Sequence, residues 1–461
     1  MSPLSKAHRI NLDDRQYGTF AEIGAGQEVA RYFFLAGKAS HTIAKTISAY
    51  DMIFSDEIYG REKNGRYVCE SRLNKMLDKE AGLLVKRLAS SRGEKTHFFA
   101  FANTVTTGTS ETPRCRGWMG VRFQTHPQGE FNDVILHVRM MDRQRLQQQE
   151  SLGILGVNLI YAALYKRQNP TTFILSLVEN LKEGQLFIDV LKFRGPDVSA
   201  FDNRLVNLEL VHRGLSEAIL FDPSMELLNI SDAVHDKALL LQRGNYRPIT
   251  STHLDVLNQG LAHLKEDLKG TNNESREILA MNEMPMLHGD LNVSEQDYLH
   301  RLKILSSLGL HVLVTQFPFY YQLKSFFRKY TQHPLAFVMG ASHLDKIFDE
   351  AHYRNLEGGI FEGLGKLLDS NSRLSIYPHK TDQSCLTAKT FTPAKNVMHL
   401  YKHFVDIGQI HDISSCDETK NYSHSDDIHA LIEKNNPSWE SQVPALVSEY
   451  VKTHEVFGFK N

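Results

Sequence analysis

Four polar runs in the second half of the sequence each follow an apolar, β-prone stretch. They are Asn282 and Glu283 leading to His288, Gly289 and Asp290; Thr315 and Gln316 with Tyr320 and Tyr321; Gly340, Ser342 and His343; and His379 with Lys380. In an open parallel sheet the loops beyond the strand carboxyl ends share one rim, where unpaired N–H groups and side chains meet a ligand. On that geometry the N–H groups near Gly340 and the Ser342 hydroxyl suit an anion. His343 and His288 suit proton transfer or phosphate charge, and Asp290 or Glu283 suits a metal or a ribose hydroxyl. Gln316 and His379 complete the rim. The chemistry expected is that of a phosphorylated or nucleotide-like small molecule, with nucleotidyl or phosphoryl transfer as the reaction class and no cofactor specified. The competing account is that loop residues are polar because water covers them.

Other short motifs narrow the field. EIGAGQEVARYF at 22 to 33 has a β-prone run, two glycines and a helical pattern, but Val29 stands where a dinucleotide turn needs a third small residue. The preceding YGTFAEI alternates apolar and polar, as a half-exposed strand does. A strand-to-helix corner that needs small residues is the stronger reading there. HGD at 288 to 290 resembles a small-molecule kinase loop, yet position 295 is Glu where a metal-holding Asn belongs. His399 and His403 stand one helical turn apart, the spacing of two zinc-binding imidazoles, with His411 and Asp412 able to complete a set; H-E-x-x-H is absent. The expectation is a surface pair and no metal. LAGKASHT has Ala39 where a P-loop needs Ser or Thr, and G-x-S-x-G is absent.

The elements that position these residues fall into three stretches. Residues 1–168 read as a mixed α+β domain: helices near 27–36, 69–91 and 144–166 flank β-prone runs at 96–105, 117–125 and 133–141. Residues 169–380 alternate strand and helix, the pattern of a mainly parallel, helix-flanked sheet, with strands expected at 185–193, 217–221, 237–242, 277–282, 311–317, 335–340 and 373–378. Asp202 is placed to cap a helix ending at Gly214, and Ser294 with Asp297 approximates a capping box. Residues 381–461 read as polar loops and helices near 396–406 and 440–452 that pack on the body. The fold class is α/β.

Composition sets outer limits. The 461 residues are 41% apolar, enough for full-sized cores, and the net charge of -2 provides no global field for nucleic acid or an anionic membrane. The first 18 residues lack the apolar core of a secretory signal, and LGILGVNLIYAALY at 152 to 165 is shorter than a membrane span. A cytoplasmic protein is expected, with Cys69, Cys115, Cys385 and Cys416 as reduced thiols. Aromatic FPFYYQLKSFFRKY at 317 to 330 supports an alternative: a non-catalytic homo-oligomeric assembly protein that buries this segment against its neighbours.

The stretches YGTFAEIGAGQEVARYFF, FRGPDVSAFDNRLVNLELVHRGLSEAILF and NLEGGIFEGLGKLL followed by IYPHK resemble a poorly characterised family of bacterial cytosolic proteins. The resemblance spans nearly the whole chain, and that family's members carry two discordant labels, TonB-dependent receptor and nicotinate-nucleotide adenylyltransferase. The first implies a barrel of about 22 strands, which alternating strands and helices do not form. The second implies an H-x-G-H pair, which this sequence lacks, so the resemblance carries over no catalytic residue. What it implies is a cytosolic α/β fold.

Overall fold

The computed structural model describes residues 1–62, 65–108, 115–286, 295–380, 385–417 and 422–460. The chain is a mixed α/β protein that divides into two compact units, Met1–Glu217 and Ala218–Asn461.

In chain order the first unit contains α1 (Pro3–Asn11), β1 (Gln16–Gly24), α2 (Glu28–Ala36), β2 (Ile43–Ala49), α3 (Met52–Tyr59), α4 (Glu70–Arg92), β3 (His97–Thr106), β4 (Arg116–Gln124), β5 (Phe131–Met140), α5 (Arg145–Tyr165), α6 (Pro170–Leu177), β6 (Leu186–Arg194) and α7 (Asn203–His212). Its six-stranded sheet has the order β2-β1-β3-β4-β5-β6. β1 pairs in parallel with both β2 and β3, and the remaining neighbours are antiparallel. Contrary to the half-exposed strand expected at YGTFAEI, β1 is internal and largely buried, because helices cover both faces. Alternate residues sort to the two sides. Gly120 faces Leu77 of α4, whereas Phe101, Met119 and Val121 join the core beneath α2 and α5. Asn158 is tolerated inside apolar α5 because its amide donates to the carbonyls of Leu177 and Glu179, while its oxygen accepts from buried Lys6.

The strand expected at 185–193 forms, but it closes the first sheet instead of opening the second. Two helices, α5 and α6, separate it from β5; the second helix turns the chain around again, and β6 enters antiparallel to β5. Residues 169–217 therefore lie within the first compact unit.

The second unit contains β7 (Ala218–Phe221), β8 (Leu227–Leu228), α8 (Ile230–Ala233), β9 (Ala238–Arg243), α9 (Ser251–Leu268), β10 (Ile278–Pro285), α10 (Glu295–Ser307), β11 (His311–Thr315), α11 (Tyr320–Arg328), β12 (Leu335–Gly340), α12 (Leu344–Ile347), α13 (Gly359–Leu367), β13 (Ser372–Tyr377), β14 (His379–Lys380), β15 (Cys385–Leu386), α14 (Met398–Asp406), β16 (Ile410–Asp412), α15 (Ser425–Glu433) and α16 (Ala445–His454). Its eight-stranded sheet has the order β16-β13-β12-β9-β10-β11-β7-β8. The six strands from β16 through β11 are all parallel; β7 enters antiparallel to β11 and pairs with β8 at the edge. The chain begins the parallel set at central β9, builds outward through β10 and β11, then returns to the other side of β9 for β12, β13 and β16. This is the doubly wound order of dinucleotide-binding sheets. α9 covers one face, with Gly260 against Val338, and α11 and α13 cover the other. Gly363 of α13 packs so closely on Tyr353 that a Cβ there would overlap the ring, which accounts for this one glycine of GGIFEGLGKLL.

Asp202 caps α7, accepting from the Arg204 N–H, and the chain leaves that helix through Gly214 at φ +71°. The reading of all four cysteines as unpaired thiols is overturned: Cys385 and Cys416 form a disulfide, with Cα atoms 6.3 Å apart, while Cys69 and Cys115 are free and buried. Return of the chain through β13 and β16 brings together two positions 31 residues apart, a proximity that spacing alone does not reveal. Among the described residues, no helix is long and apolar enough to cross a membrane.

Candidate functional site

The glycine turn at 22 to 33 is a closed corner. Glu22, buried at the end of β1, accepts the backbone N–H of Val29 on Oε1 and of Ala30 on Oε2, both at 3.1 Å. Asn103 donates to Glu22 Oε1 at 3.3 Å and to the Gly26 carbonyl at 2.8 Å. The first turn of α2, where an anion would dock, thus holds a carboxyl from its own strand. Burial pushes the Glu22 carboxyl up to about 7, against the pull of these donors. Gly24 is required because its φ is +76° and a Cβ would stand 2.3 Å from the Val105 carbonyl oxygen.

The second unit is different. A cavity of about 490 Å³ opens at the carboxyl edge of its sheet, and a smaller chamber of about 60 Å³ adjoins it; Arg243, His253, His343 and His424 line both. Four strand ends supply the larger cavity: Arg243 at the end of β9 with Gly244 after it, Pro285 of β10, Phe319 and Tyr320 after β11, and His343 and Lys346 after β12. It lies where the chain's return from β11 to β12 makes the loops after β9 and β12 diverge, the place where doubly wound sheets receive ligands. Tyr353 and His352 add planar walls, and His424 with Asp426 closes the rim from the start of α15.

Within this rim some groups are fully committed. Arg243 donates from Nε and Nη2 to the two oxygens of buried Glu283, and from Nη1 and Nη2 to the carbonyls of Pro318 and Phe317. Thr315 donates to Glu283 Oε1 at 2.6 Å. This network fixes the mouth and cancels the Arg243 charge. Its guanidinium lies over the Tyr320 ring at 4.7 Å.

Other groups are poised. His253 Nδ1 accepts the Thr250 N–H in a reciprocal capping box at the start of α9, which leaves the proton of a neutral ring on Nε2. Burial lowers His253 to about 4, and the neighbouring imidazoles of His424 and His343 act in the same direction. Burial lowers His343 to about 4 as well, with Lys346 and His424 adding to the effect and a backbone contact at Gly340 opposing it. Both imidazoles are therefore neutral at pH 7. The Tyr320 hydroxyl is shielded from solvent and makes no hydrogen bond with the described residues, and burial pushes it up to about 12. An unpaired buried hydroxyl is costly, and a ligand in the cavity would supply the partner. Lys346 is exposed at the rim and forms no ion pair among the described residues.

Of the residues singled out from sequence, His343 lines both chambers, and Gly340 and His379 line the smaller one. Ser342 sits in the turn between Gly340 and His343, its Oγ near the space a Gly340 Cβ would take. Glu283 acts on the site through Arg243, its oxygens facing inward to the network. Gln316 follows β11 but does not line either chamber. His288 and Asp290 lie outside the described residues, as does Ser294 of the expected capping box. Sequence reading missed Arg243, His253, Lys346 and His424. The strand-end rule applied to 237–242 would have found the first; the others come from helix starts and a polar loop that carry no such signal.

No protein-family model and no curated protein matches the chain. Among solved structures it is similar to competence/damage-inducible protein CihA from Agrobacterium tumefaciens, at 18% identity and TM-score 0.25, covering 35% of this chain and 94% of that one. The competence damage-inducible protein A of Klebsiella pneumoniae is similar at 15% identity and TM-score 0.25, over 35% of this chain and 91% of that one. A competence-damaged protein (CinA) superfamily protein from Escherichia coli is similar at 15% identity and TM-score 0.25, over 38% and 87%. The reading of the site rests on its own geometry.

Proposed function

We propose that the second unit binds a phosphorylated or nucleotide-like small molecule in the carboxyl-edge cavity. The observation that carries this reading is the position of a 490 Å³ cavity where the β9 and β12 loops diverge. Planar walls from Phe319, Tyr320 and Tyr353 suit a base, and Lys346 with the Gly340–Ser342 turn suits a phosphate. Neutral His343 is placed to accept or relay a proton, so nucleotidyl or phosphoryl chemistry is the class to test. A cytoplasmic location goes with this reading.

Thermal-shift titration against nucleotides and sugar phosphates tests it. A ligand at 100 times its dissociation constant adds about 2.7 kcal/mol to stability, and His343→Ala and Lys346→Ala should each diminish the response. A flat panel, or an undiminished response in both variants, contradicts it.

A second reading, self-association, has its own observation. FPFYYQLKSFFRKY does not serve it, since Tyr321, Leu323, Phe326 and Phe327 are buried in the core of their own unit. Instead edge strand β2 runs directly into Tyr50, Met52, Ile53 and Phe54, exposed at 70, 59, 75 and 57%. Such an apolar run is unusual on a monomer. Light scattering of Ile53→Asp tests it: an oligomer that dissociates supports the reading, and a wild-type monomer rejects it.

A further inference from the structure

The histidines flagged for zinc are dispersed: His399 and His403 lie exposed on α14, and no third ligand joins them among the described residues. His411, by contrast, meets two residues far away in sequence. His263 and Asp267, one turn apart on α9, and His411 on β16 bring three potential ligand atoms within 4.8 Å of one another.

We propose that His263, Asp267 and His411 form a binding site for a divalent transition-metal ion of the zinc class. Two imidazoles and one carboxylate are a ligand set that zinc accepts, with bonds of roughly 2.0 to 2.2 Å and a fourth position left for water. The surroundings fit. His411 Nδ1 stands 3.2 Å from the Gly408 carbonyl, and donation of its proton there leaves the Nε2 lone pair for an ion. Nε2 is 3.2 Å from Ser375 Oγ, a weak partner that a metal would displace. His263 Nδ1 is shielded from solvent, 3.4 Å from Asp267 Oδ2, and forms no aligned hydrogen bond. Such a group is left wanting a partner.

Two features define what binding must change. The rings of His263 and His411 stack at 4.4 Å and 19°, so one must rotate to bring both lone pairs onto one ion. Both residues are only half-buried, which permits the rotation. Arg373, from neighbouring β13, holds Asp267 Oδ2 and competes with the ion for it. The metal would join α9 to the edge strand β16.

The experiment uses the full chain and zinc or cobalt alone. Calorimetry with Zn²⁺ should show one strong equivalent, and Co²⁺ should give visible bands typical of a low-coordinate nitrogen and oxygen site. His263→Gln and His411→Gln should each weaken Zn²⁺ binding roughly tenfold or more, while their metal-free melting temperatures stay near wild type. Arg373→Gln should tighten binding, an effect that damage to the fold would not produce. A double His399→Gln, His403→Gln variant should bind as wild type does. No stoichiometric binding to wild type, unchanged affinity in the His263 and His411 variants, or loss confined to the His399 and His403 pair would each overturn the assignment.

Discussion

Each unit carries a parallel strand that turns through glycine toward a helical segment, and the two corners are put to opposite uses. At β1 the turn is sealed: Glu22 fills the first turn of α2, Asn103 locks the carboxyl, and Gly24 presses against the Val105 carbonyl. At β12 the turn faces a cavity. Gly340 has only Ser342 Oγ at 3.7 Å and His343 Nδ1 at 4.0 Å near its would-be Cβ, and its φ of -70° suits any residue. The lesson is that a glycine-bearing corner does not by itself make an anion site. What decides is whether the protein's own carboxylate already satisfies the N–H groups that a ligand would use.

Substitutions can break this contrast. The largest effect is expected from Glu22→Ala, which strands the backbone N–H groups of Val29 and Ala30 and removes one of the two acceptors of the Asn103 amide; a loss of about 3 kcal/mol or more should appear in chemical denaturation. Gly24→Ala comes next, at about 2 kcal/mol, from positive φ and overlap with a backbone oxygen that cannot retreat.

The pH dependence sharpens the account of Glu22. Its folded-state carboxyl is raised from 4.5 to about 7, so the native protein binds this proton more tightly than the unfolded chain. The resulting stability is complete below 4.5 and is lost as pH rises through about 7. Wild type should lose about 2 kcal/mol relative to Glu22→Gln between pH 5 and 7.5, a difference that paired denaturation curves measure. Equal slopes would show that the carboxyl titrates normally. The smallest effect belongs to the open corner: Gly340→Ala should change stability by less than about 0.5 kcal/mol while weakening any ligand response, as thermal shift with and without nucleotide would report.

Much of this architecture was legible. The strands at 237–242, 277–282, 311–317, 335–340 and 373–378 all form and run in parallel, because apolar runs between helical patterns have few other ways to be buried on both faces. β6 misled because its own residues do not encode direction; the pair of helices before it does. Glu22 was illegible for a related reason, since a carboxylate in an alternating strand reads as solvent-facing until a second strand and a helix close over it. His263 and His411 are separated by the whole run from α9 to β16, and Cys385 and Cys416 by a segment containing α14 and β16, whose path no local pattern fixes. His343, Gly340 and His379 were found because strand ends are local, and parallel strands bring local ends together.

The most direct test of the contrast is photolabelling of the full chain with an azido-adenine nucleotide, followed by peptide mapping. The account predicts saturable labelling, displaced by unmodified nucleotide, in peptides that contain Phe319 and Tyr320 or His343 to Tyr353. Displaceable labelling in the peptide from Glu22 to Phe33, or none anywhere, would contradict it.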